Sequence, residues 1–122
     1  MASILLIDDS KSTALAVRFE LERAGHDVVA VEDGVKALEI LLKKKVDLVI
    51  LDLFMPVMNG WEFLDSKSGL AGIAPIPVIV YSAYSGIPQP FPAGQKITVI
   101  EKPQELSVVT KTVNHVLQGL SA

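Results

Sequence analysis

The sequence predicts an α/β sandwich on a parallel sheet, and two alternating patterns predict it. The first is a set of short, nearly continuous apolar runs: Ile4-Leu5-Leu6-Ile7, Leu48-Val49-Ile50-Leu51, Val78-Ile79-Val80-Tyr81 and Ile97-Thr98-Val99-Ile100. Runs of this kind, rich in β-branched residues and without polar alternation, suit strands covered on both faces. A weaker run, Val28-Val29-Ala30-Val31, is read as a fifth strand of the same sheet. The second pattern is helical spacing between the runs, and strand–helix alternation implies right-handed crossovers.

Taken in order, Ala14, Val17, Leu21 and Ala24 form a stripe at spacings of three and four, closed by Gly25. Val35, Leu38 and Leu42 form a second stripe, opened by Asp33-Gly34. Trp61 and Leu64 mark a short third helix after Asn59-Gly60, with Trp61 and Phe63 expected partly in the core and partly at the surface. Leu106, Val109, Val113 and Val116 mark the last helix, beginning past Pro103. Residues 85–94 break the rhythm, because Pro88, Pro90 and Pro92 at alternate positions remove helical hydrogen bonds and clash with the preceding turn. An extended loop is expected there instead of a crossover helix.

Composition narrows the function. A length of 122 residues suits one domain, residues 1–122, with a real core. Half the residues are hydrophobic and a fifth charged, a globular balance. A net charge of −3 without a long basic run gives nucleic acid no electrostatic footprint. The absence of cysteine excludes disulfides, thiol catalysis and cysteine-ligated zinc. His26 and His115 have no metal-ligand spacing and are expected at the surface or at helix ends. No signal-peptide pattern and no apolar stretch near the roughly 20 residues of a membrane span is present, so a cytoplasmic protein is expected.

In an open parallel sheet, functional groups gather beyond the carboxyl ends of the strands. Asp8 and Asp9 follow the first run, Asp52 the third, Ser82 the fourth and Lys102 the last. Each alone has an ordinary explanation: Asp8 or Asp9 as a helix cap, Asp52 as a turn residue, Lys102 as a solvated cation. Their coincidence at four strand ends outweighs four separate explanations. Three neighbouring carboxylates repel by on the order of a few kcal/mol per pair at an effective dielectric near 20. A hard divalent cation relieves this, and magnesium, which uses few carboxylates and keeps several waters, brings the site a reason to meet phosphate.

With these residues in place, the chain resembles the receiver domain of bacterial two-component response regulators. Four motifs carry the resemblance: Ile7-Asp8-Asp9-Ser10; the segment from Leu51-Asp52-Leu53-Phe54 through Met55-Pro56-Val57-Met58-Asn59-Gly60; Tyr81-Ser82-Ala83; and Glu101-Lys102-Pro103. The resemblance implies a flavodoxin-like (βα)5 sandwich with sheet order 2-1-3-4-5, here with the fourth helix degenerate or absent. It implies that Asp52 accepts a phosphoryl group from a histidine of a sensor kinase or histidine phosphotransfer protein. Magnesium would be held by Asp9, by Asp8 largely through water, by Asp52 and by the Phe54 carbonyl. Ser82 and Lys102 would meet the acyl phosphate, aided by a cis peptide before Pro103. The output is an altered binding surface for a downstream protein, with a homodimer possible and with self-dephosphorylation in place of ordinary turnover.

Three departures stand out. The proline-rich loop replaces a helix of the usual output face, Val99 stands where an aromatic switch residue is usual, and bulky Phe54 lies two residues past Asp52. Tyr84 is a candidate reporter in place of the missing aromatic. Competing readings are a pseudo-receiver that binds without phosphorylation and a small aspartyl phosphohydrolase. The second fits poorly, since Asp8 and Asp9 are adjacent and there is no room for a cap. A flavodoxin-like cofactor binder lacks the hydroxyl-rich phosphate loop. A free-standing receiver and one cut from a longer regulator both fit the chain.

Overall fold

A computed structural model describes residues 2–55, 57–83, 91, 94–102 and 105–121, without the side chains of 120 and 121. The element order is β1 (Ser3–Ile7), α1 (Lys11–Arg23), β2 (Asp27–Val31), α2 (Gly34–Lys43), β3 (Leu48–Leu51), α3 (Gly60–Ser68), β4 (Val78–Ser82), β5 (Ile97–Glu101) and α4 (Leu106–Ser121). The strands form one parallel sheet in the order β2-β1-β3-β4-β5. This is the expected flavodoxin-like order. Among the described residues there are four helices, and 83, 91 and 94–96, between β4 and β5, are not helical. Most of the proline-rich segment, residues 84–90, 92 and 93, lies outside the described residues, as do Pro56, Pro103 and its peptide bond.

Strand side chains alternate between faces, so the sheet divides the core in two. Leu5, Ile7, Val49, Leu51, Val78 and Val80 meet Ala37 and Leu41 of α2 and Phe63 and Leu64 of α3. Ile4, Leu6, Leu48, Ile50, Ile79 and Tyr81 meet Val17 and Leu21 of α1 and Val109 and Val113 of α4. Each buried aliphatic group contributes roughly 1.5–3 kcal/mol, which is why the continuous runs settle at the centre of the sheet.

The sequence reading needs correction in three places. Most of the α2 stripe is out of phase: Ala37 and Leu41 are buried and Leu38 packs half-buried against the core, whereas Val35 and Leu42 are exposed. Leu41 occupies the core from one position earlier, about 100° around the helix. Phe63 is fully buried, not half at the surface, since α3 is short and turns one face wholly onto the sheet. β5 is an edge strand with Thr98 and Val99 exposed, so its run is not covered on both faces.

Candidate functional site

The site is assembled by the last rungs of the sheet. The Asp8 backbone N–H donates to the Val31 carbonyl (3.1 Å), Asp52 to Ile7 (2.9 Å) and Lys102 to Ser82 (2.8 Å). Asp8 and Asp52 are therefore fixed one step beyond buried strands and Lys102 one step beyond the edge strand, so their positions follow from the strand register. The capping role that either aspartate could have filled belongs to Ser10, whose hydroxyl accepts from the Thr13 N–H at 3.4 Å. Asp8 instead accepts the Ser10 N–H on Oδ1 at 2.9 Å, leaving its second oxygen toward the site.

Asp8, Asp9 and Asp52 each offer an oxygen, and these oxygens lie within 4.8 Å of one another. Asp8 and Asp52 are buried and Asp9 is exposed. The Lys102 ammonium lies 2.8 Å from Asp8 Oδ2 and 3.8 Å from Asp52 Oδ2, with its charge 5.1 Å from the centre of the Tyr81 ring. That ring is a component the sequence reading assigned no role; its place directly before Ser82 was the available signal. The Phe54 N–H donates to Asp52 Oδ1 at 3.3 Å. Phe54 itself is half exposed, and its ring meets Trp61 edge to face at 5.7 Å.

Burial raises the Asp52 carboxyl above the ordinary carboxylate range; Lys102 opposes this, Asp8 reinforces it, and the Phe54 N–H and Ser82 lower it slightly. Ser82 Oγ is buried without a hydrogen-bond partner among the described residues, so its effect on Asp52 is that of a nearby dipole and not of a formed bond. An orphaned buried hydroxyl costs roughly 1–3 kcal/mol, an expense found where an incoming acceptor completes the pair. The donor set is hard oxygen throughout and carries up to three negative charges, which fits a divalent cation such as magnesium. His26 bridges the Ala2 N–H and Asn114, and His115 is exposed; both are remote from the site. Tyr84 lies outside the described residues.

The sequence matches the response regulator receiver domain family over residues 4–114. It is 29% identical over 121 residues to Protein PilH of Pseudomonas aeruginosa, covering 98% of this chain and 100% of that one. Against longer curated relatives, transcriptional regulatory proteins of Escherichia coli, the chain spans 26% of their length. Its fold superposes on the chemotaxis response regulator CheY4 of Vibrio cholerae with a TM-score of 0.83, at 29% identity, covering 95% of this chain and 98% of that one. The receiver domain of the Pseudomonas aeruginosa sensor histidine kinase PA1611, described with a magnesium ion in its active-site cleft, gives 0.86 at 19% identity, covering 96% and 98%. An α/β sheet with an acidic cluster at its carboxyl edge thus acquires a family: the chain belongs to the response regulator receiver domains of two-component signalling. No helix among the described residues is long and apolar enough to cross a membrane.

Proposed function

We propose that residues 1–122 act as one receiver domain, a switch set by phosphorylation of Asp52. The supporting observation is the cluster of three carboxylates with Lys102 bound to Asp8 and close to Asp52. Asp52 attacks the phosphorus of a phosphohistidine on a sensor kinase or histidine phosphotransfer protein. An oxygen–phosphorus bond forms, the phosphorus–nitrogen bond breaks, and the imidazole leaves with the bonding pair and takes up a proton.

Asp8, Asp9, Asp52 and the Phe54 carbonyl would hold magnesium, which when bound supplies positive charge to the carboxylates and to the phosphoryl oxygens. The rest is the work of the chain. The Phe54 N–H keeps one Asp52 oxygen oriented, leaving the other toward Lys102. After transfer, the Ser82 hydroxyl donates to a phosphoryl oxygen and gains the partner it lacks. Lys102 turns from Asp8 to the new charge, and charge-assisted bonds of this kind are roughly twice as strong as neutral ones. Moving the switch from mostly off to mostly on takes about 5.5 kcal/mol of differential interaction. A downstream protein reads the altered surface. The Phe54 ring, two residues past Asp52 and held edge to face on Trp61, would obstruct an attacking water and give a slowly hydrolysed acyl phosphate.

A small acyl-phosphate donor in the presence of magnesium tests this reading. Labelling is expected in the natural chain and in Asp8→Ala, but is lost in Asp52→Ala and on chelation. Label retained in Asp52→Ala would sink the assignment. Heteronuclear NMR with beryllofluoride, a phosphoryl mimic, should show shifts radiating from Asp52, and their furthest reach maps the output face.

A further inference from the structure

The outward face of α2 lacks a partner that its chemistry invites. Val35 and Leu42 are 41% and 66% exposed, and Leu38 between them is half-buried. Together they form an apolar stripe of two helical turns, about 10 Å long. The stripe reads in the sequence as a core face, yet α2 packs on the core through Ala37 and Leu41, with Leu38 and Ile40 partly buried beside them, and leaves Val35 and Leu42 outside. Exposed lysines lie near its two ends: Lys36 follows Val35, and Lys43, Lys44 and Lys45 follow Leu42 at and beyond the helix end. These are four of the chain's 11 Lys and Arg residues, in a molecule whose net charge is −3.

None of the four forms an ion pair among the described residues, whereas Arg18 and Arg23 of α1 pair with Glu22 and Glu20. On α2 itself the acids are the cap Asp33, one of whose oxygens accepts the Lys36 backbone N–H, and exposed Glu39, which lies on the stripe's own flank between Val35 and Leu42, so four lysines outnumber a single uncommitted acid. Macrodipole stabilisation accounts for one cation in the last turn, Lys43. It does not account for Lys36 at the opposite end, nor for two large aliphatic side chains left in water between them.

We propose that this face of α2 docks an acidic amphipathic helix of a partner protein, its apolar residues on Val35, Leu38 and Leu42 and its carboxylates on Lys36 and Lys43 to Lys45. An apolar strip with a surplus of unpaired positive charge at its ends suits docking of an acidic amphipathic helix, in which burial gives affinity and complementary charge gives orientation and on-rate. The surface is separate from Asp52, and the inference stands without the reading of the phosphoacceptor site.

The probe is a synthetic helix with leucines on one face and glutamates along both borders, titrated into nitrogen-labelled full chain and followed by NMR. Shifts confined to residues 35–45, weakened by salt, are expected. Leu42→Glu, and separately Lys43→Glu with Lys44→Glu and Lys45→Glu, should each weaken binding by about tenfold or more. Because all four positions are exposed, circular dichroism should be unchanged. A matching peptide with lysines in place of the glutamates tests charge on the natural chain and needs no variant. Equal binding of that peptide, shifts centred elsewhere, or no binding overturns the proposal. So does binding to phosphatidylserine vesicles or duplex DNA in a chain that ignores the acidic peptide.

Discussion

Val57 sits at φ 70°, in the left-handed region, and is 83% exposed. A β-branched side chain there costs roughly 1–2 kcal/mol, and so exposed a valine recovers almost none of it by burial. Val57→Asn tolerates the conformation without the unfolded-state entropy of glycine, and is expected to stabilise the chain by about 1 kcal/mol in urea titration. Val57→Gly should gain less, since glycine's extra freedom when unfolded offsets part of the relief. Asp52 carries a different tension, as burial and the neighbouring Asp8 raise its carboxyl. Its folded pKa lies above the unfolded value of 3.8, so the folded chain binds the extra proton within that window and stability falls as pH rises through it. Asp52→Asn without magnesium should therefore be more stable than the natural chain at neutral pH, with the advantage vanishing below about pH 4. A constant difference across the acid titration would contradict this. Asp8, Asp9, Asp52, Ser82 and Lys102 were legible in the sequence because a buried strand must end, and a polar residue at its carboxyl end is conspicuous. Val57 was not, because nothing local in a sequence announces which residue of a loop will be forced across φ = 0.

Between residues and the whole lie the seams where elements touch, and two glycines separate close approach from mere proximity. A Cβ on Gly60 would stand 2.7 Å from Leu53 Cα and 3.1 Å from the Asp52 carbonyl oxygen, both backbone atoms unable to give way. A Cβ on Gly34 would meet Met58 Sδ at 2.8 Å, the far part of a flexible side chain. Gly60→Ala is thus expected to cost about 1–3 kcal/mol and to disturb the Asp52 loop, visible as reduced labelling. Gly34→Ala should cost less than about 1 kcal/mol, with labelling retained, because methionine can repack. Comparable costs for the two would mean the β3–α3 loop is softer than these contacts indicate. Helix starts were legible here: Asn59 and Asp33 cap α3 and α2, as the Asn-Gly and Asp-Gly pairs promised. The phase of α2 was not, since Val35-Leu38-Leu42 and Ala37-Leu41 both repeat at helical spacing and only the sheet decides which set it covers. Larger side chains made the wrong set more conspicuous.

For the molecule as a whole, the sheet order followed from a resemblance carried by four short motifs, while the fastening of its far edge depends on a residue with no motif at all. Lys67, near the end of α3, is fully buried and donates to the Ala74 carbonyl and to Gln95 Oε1, both at 2.8 Å. Gln95 in turn donates to the Leu64 carbonyl, so one amine ties α3, the turn before β4 and the approach to β5. No pattern in the sequence singles out Lys67; its burial arises only when three distant segments close around it. Two acceptors match the two N–H groups of a neutral amine, and burial lowers its pKa from 10.5 to about 8. Between those values the unfolded chain binds more protons than the folded one, so stability rises with pH across the window. Below about pH 8 the amine is charged in both states and its burial costs at most about 3 kcal/mol. Lys67→Met fills similar volume without titrating, though it leaves the Ala74 and Gln95 oxygens unmet. The free-energy gap between the natural chain and Lys67→Met should therefore shift toward the natural chain as pH is raised from 8 to 10, whatever its starting sign. Parallel stability curves over that range would show that the amine is already solvated in the folded protein, and that the β5 edge is held by its ladder with β4 alone.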